Sequence, residues 1–87
     1  MAKENLLQDK IFLCKLEEWN NYNSCACDIE DAIATLAGMK RDHSWVIAHL
    51  VSDLVKTVEA RTRALDEMKP YGVYDYEEAV SLACKAF

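Results

Sequence analysis

Residues 24–32, Ser-Cys-Ala-Cys-Asp-Ile-Glu-Asp-Ala, hold the densest group of reactive side chains in this chain of 87 residues. Two thiols one residue apart, followed by three carboxylates, are the raw material of a metal knuckle or a redox pair. The spacing speaks against both. Structural zinc takes four ligands, commonly supplied as two C-x-x-C or Cys/His pairs, and Cys25-Ala26-Cys27 is one residue short of that form. Further ligands would come from His43, His49 or Cys84, none of which forms a second knuckle. The C-x-x-C of thiol redox proteins is absent. Asp28, Glu30 and Asp31 read instead as the opening of a helix, where carboxylates accept unpaired backbone N–H groups and oppose the helix dipole. The expectation is no metal and no cofactor.

Acid-base chemistry has two candidates, His43 and His49. They stand six residues apart, so a helix does not set them on one face as i,i+3 or i,i+4 neighbours. Neither has a nucleophile close in sequence in the context a general base requires. The only glycines, Gly38 and Gly72, build no phosphate-cradling loop, and no E-x-x-H pair of a helical dimetal site is present. The chain is expected not to be an enzyme, with no catalytic residue assigned.

The elements that would position these groups are helical. Hydrophobic residues make up 52% of the chain, with two glycines and one proline, a composition of helices joined by short turns. Periodicity predicts four. The first runs from Asn5 to Asn20, with Asn5 and Gln8 as a capping box. It is apolar on two faces, Leu6, Phe12, Leu13, Leu16 and Trp19 on one, Leu7, Ile11 and Cys14 on the other; such a helix either lies centrally in its own bundle or turns the Leu7/Ile11/Cys14 face to another chain. The asparagine-rich Asn20–Ser24 segment reads as a loop. A short second helix, Ile29–Ala37, is expected between Asp28 as N-cap and Gly38 as C′ residue. The third, Asp42–Lys69, stops before Pro70 and presents Ile47, Leu50, Val51, Leu54, Val58, Leu65 and Met68 along one stripe, interrupted by Arg61. Its opposite face carries a Glu59–Arg63 pair at i,i+4. The last helix opens at Tyr76, capped by Asp75, with Tyr76, Ala79, Val80, Ala83 and Phe87 as its apolar stripe, and Tyr74 packs before it as a staple. The fold class expected is an all-α, compact four-helix bundle with one short and one long helix, in a single domain covering residues 1–87.

Residues 32–50, from Ala32 through Gly38, Lys40 and Arg41 to Leu50, resemble a helix-turn-helix. Ile33, Ala34, Leu36, Gly38 and Met39 occupy its apolar, small and turn positions. The resemblance implies a DNA-binding transcription regulator, with Lys40 and Arg41 where a recognition helix meets phosphate. The alternative is an ordinary helical hairpin closed at Gly38. Ser44 in place of an apolar residue, the length of the third helix and the net charge of −5 favour the hairpin and argue against nucleic acid as partner.

No apolar run approaches a secretory core or a membrane span, so the expected location is the cytoplasm, with reduced cysteines. A chain this small sits near the lower limit for a self-sufficient core. The doubly apolar first helix and the missing catalytic set predict a protein that acts by binding another protein, including a second copy of itself as a homodimer. Leu7, Ile11, Cys14, Trp45 and Arg61 are the expected partner-binding residues, since tryptophan and arginine are frequent interface anchors. Regulator or inhibitor is the role such a chain would fill. Phage and mobile-element accessory proteins, including inhibitors of anti-CRISPR type, are often of this size.

Overall fold

A computed structural model describes residues 3–87, and every regular element among them is helical. A short 3-10 turn, Lys3–Gln8, leads into α1 (Lys10–Ala37); α2 (Ser44–Met68) follows, then a 3-10 turn over Lys69–Tyr71, then α3 (Tyr76–Ala86). These are three α-helices where four were expected.

The difference lies in α1. The expected helices Asn5–Asn20 and Ile29–Ala37 are parts of one 28-residue helix, and the asparagine-rich segment continues through it. Asparagine costs only about half a kcal/mol relative to alanine in a helix, and tertiary contacts outweigh that here. Asn23 is half-buried and accepts a hydrogen bond from Arg61 of α2. Ala26 is fully buried. No glycine or proline interrupts residues 10–37. Asp28 is therefore an exposed mid-helix residue and not a cap.

The true cap of α1 is Asp9, whose carboxylate accepts from the Ile11 and Phe12 backbone N–H groups at 2.9 and 3.2 Å. Asn5 and Gln8, the expected capping box, lie in the preceding 3-10 turn. Asp75 caps α3 as expected, accepting from the Glu78 N–H at 2.8 Å. Gly38 ends α1 in a right-handed conformation, φ −82°, so its place there does not depend on a left-handed backbone. Gly72 is different: at φ 86° it closes the turn after Pro70 in the left-handed region that glycine adopts without strain.

At about 1.5 Å per residue, α1 and α2 are roughly 42 and 38 Å long. The molecule measures 53 × 20 × 18 Å, so both helices must run along its long axis. The six residues 38–43 joining them turn the chain back, which makes α1 and α2 an antiparallel hairpin. Cross-links agree: Lys15 faces Glu67 near one end, and Asn23 meets Arg61 further along. The radius of gyration is 15.7 Å, against about 12 Å for a compact domain of this length. The expected compact bundle is an elongated hairpin.

The core occupies only one end. Phe12, Leu16 and Trp19 of α1, Ala64 and Met68 of α2, Val73, and Ala79, Leu82 and Ala83 of α3 form a single buried cluster. Helix α3 is 11 residues long and covers only this end. Tyr71 stacks obliquely on Phe12 at 5.2 Å between centroids, and Tyr76 meets Trp19 edge-on at 5.6 Å. The stripe expected on α3 is rotated slightly. Leu82 is buried, while Tyr76 and Phe87 are exposed and Val80 is half-buried. Tyr74 is 63% exposed and does not act as a staple.

Candidate interaction surface

Beyond the core end, the hairpin continues as two helices with no third layer. From Cys27 to Arg63 no residue is buried. Of the stripe expected along α2, only Met68 is fully buried; Ile47, Leu50, Leu54, Val58 and Leu65 are half-buried against α1, and Val51 is exposed. Two helices alone shield one flank of each other and leave the rest to solvent.

The composition of the distal end does not match that exposure. Residues 32–39 at the end of α1 contain no Asp, Glu, Lys or Arg. Neither do residues 43–52 at the start of α2. These two stretches lie beside each other at the tip of the antiparallel hairpin, joined by Lys40, Arg41 and Asp42. A helix hydrophobic on all sides is ordinarily buried, and the polar side chains in these two stretches are only Thr35, His43, Ser44, His49 and Ser52. Here Met39, Trp45, Val46 and Val51 are all exposed, Trp45 by 76%. At about 100° per residue, Trp45, Ala48, Val51, Ser52 and Val55 form one connected strip on the outer side of α2, and all five are exposed. The Trp45 ring stands edge-on to His49 at 4.4 Å. At the apex the Asp42 carboxylate accepts from the Ser44 N–H at 2.9 Å; that bond and one to the Ser44 hydroxyl hold its pKa below the usual aspartate value.

Asp28, Glu30 and Asp31 on α1 and Lys40 and Arg41 at the apex are exposed, and among the described residues none of the five makes an ion pair. Glu59 and Arg63, the expected i,i+4 pair, make none either.

The sequence-predicted binding residues separate in space. Trp45 stands on the tip. Leu7 packs against the core cluster from the 3-10 turn, half-buried. Ile11 and Cys14 are exposed near the core end, Ile11 by 65%, so the second apolar face of α1 is divided between core and solvent. Arg61 is occupied within the chain: it donates to Asn23 Oδ1 at 2.9 Å and lies over the Tyr76 ring at 5.3 Å, linking all three helices. Sequence reasoning missed Met39, Val46, Ala48 and Val55 as surface residues. The signal that marks them is the uncharged stretch itself.

The thiols offer no joint chemistry. On a continuous helix, residues two apart point about 160° away from each other around the axis, so Cys25 and Cys27 project from opposite sides of α1. All four cysteines are free and exposed. Among the described residues no three His, Cys, Asp or Glu side chains gather as a metal site, and no helix is long and apolar enough to cross a membrane. No protein-family model, curated protein or solved structure matches this chain.

Proposed function

We propose that this protein works by contact, as a regulator or inhibitor whose hairpin tip docks on another protein. The observation carrying this reading is that residues 32–39 and 43–52 bear no formal charge yet lie largely in solvent. Water is a poor environment for such a surface, and burying it against a partner recovers about 25 cal/mol for each Å² of apolar area removed. Large uncovered apolar areas on soluble proteins mark interaction sites. Trp45 is the natural anchor, being large, rigid and accessible. The core end serves as the rigid base from which the tip projects.

The test is capture of a partner by the immobilised full chain, compared with Ala48→Glu. Ala48 is exposed, so a carboxylate there is solvated in the free protein and buried unpaired in a complex. The expected result is an intact fold with capture reduced at least about tenfold. Equal capture by both chains rules out the tip.

A second reading, a helix-turn-helix regulator, draws on the exposure of Lys40 and Arg41 at the apex. That motif sets its helices at about 90–120°, whereas α1 and α2 lie alongside each other. Duplex DNA binding at low salt, lost in a Lys40→Ala/Arg41→Ala chain, is the result that would favour it.

A further inference from the structure

The tip is self-complementary, and we infer that its partner is a second copy of this chain, with two hairpins overlapping tip over tip, antiparallel, into a short four-helix bundle. This rests on the reading of the tip as a protein-docking surface and names the occupant. Three features select a second copy.

The first is charge. Along α1 the uncharged zone ends at Asp31, with Glu30 and Asp28 just below; on α2 it ends at Asp53. The apex carries Lys40 and Arg41. From Asp31 to the end of α1 at Ala37 is six residues, about 9 Å of helix, and the turn carries the chain on to Lys40. When two tips overlap over that length, the apex of each copy reaches the level at which the other's acids begin. Asp28 and Asp31, three residues apart, share one face of α1; Lys40 and Arg41 of one chain then stand beside that pair on the other, twice over, as a twofold interface requires. Within one chain these charges have no ion-pair partner among the described residues.

The second is size. Of residues 32–52, the uncharged zones with their apex, 15 are exposed, fewer than the roughly 20–30 that a standard interface engages on each side, which fits a weak, concentration-dependent pair. The third is geometry. Each tip is half of a four-helix bundle, two antiparallel helices with apolar flanks open to both sides, and a second such pair completes it. Val46 and Val51 lie on opposite sides of the Ile47–Leu50 row of α2, so the second copy would bury the one on the flank it covers, with Trp45 at the edge of the contact; the single chain leaves all three in water.

Sedimentation velocity and small-angle scattering on the full chain, from about 1 to about 200 µM, test this. A concentration-dependent dimer is expected. Its length should be roughly 90 Å, since only the tips of two 53 Å molecules overlap, whereas side-by-side pairing would keep the length near 53 Å. Two charge-reversed chains give the register. Lys40→Glu/Arg41→Glu places acids against acids in its own dimer, and Asp28→Lys/Asp31→Lys places bases against bases. Each alone should dimerise at least about tenfold more weakly, and an equimolar mixture should recover the wild-type affinity as a heterodimer. All four positions are exposed, and circular dichroism checks that each chain stays folded. A wild-type monomer at the highest concentration overturns the inference, as does a dimer near 53 Å long or one that neither reversal weakens. The docking reading fails separately, when Ala48→Glu leaves partner capture by the full chain unchanged.

Discussion

Arg61 illustrates how a single residue changes meaning once its surroundings are known. On the α2 stripe it stands where spacing predicts an apolar side chain, which suggests a partner contact. Its guanidinium instead donates to Asn23 and covers Tyr76. An arginine on an aromatic face contributes about 0.5–1 kcal/mol at a partly exposed site, and its hydrogen bond to a neutral amide adds a similar amount. Arg61→Leu should therefore destabilise the fold by about 1–2 kcal/mol, read by urea unfolding, while self-association at the tip persists. A stabilised variant would mean that these contacts contribute nothing beyond packing. The 3.9 Å Lys15–Glu67 pair, by contrast, is a surface ion pair with both partners substantially solvated and counts for little.

At the scale of elements, the start of α1 is the informative case. Asp9 satisfies two backbone donors that would otherwise face solvent unpaired. Asp9→Ala should cost about 1 kcal/mol, seen as a lower urea midpoint with an unchanged slope. Asn5→Ala, in the 3-10 turn, should cost less than half of that; equal losses would place the helix start where the capping-box pattern put it. The continuity of α1 has a functional consequence. A loop at Asn20–Ser24 would let the second half of the chain fold back as a separate helix and build a compact bundle. A straight helix of 28 residues cannot do this, so it carries the uncharged zone away from α3.

The whole molecule is a stable base and an uncovered arm. Every member of the core cluster lies within residues 12–19 or 64–83. Local stability should follow that division, because opening free energies rise with buried contact density. Hydrogen exchange on dilute protein should show the slowest amides in α1 up to about Ala26 and in α2 from about Ala64, with residues 32–52 exchanging much faster. Raising the concentration through the dimerisation range should slow the tip and leave the base unchanged. Uniform protection at low concentration would mean that the arm is stable without any cover.

Much of this was legible in the linear order of residues. Few glycines, one proline and 3.6-residue periodicity determine an all-helical chain, and Asp75, Pro70 and the turn before Tyr76 place the start of α3 because capping and chain stiffness are local. Long-range contacts decided the remainder. Asn20–Ser24 has the composition of a loop, and only the packing of Asn23 and Ala26 against α2 makes it helix. Leu7 and Ile11 share a face by periodicity, yet one joins the core and the other meets water. The uncharged tip is written in the sequence as plainly as the core, since apolar residues look the same whichever surface covers them. Which of the two lies bare depends on how far an 11-residue α3 reaches along a hairpin about two and a half times its length, a matter of tertiary geometry that local pattern does not encode.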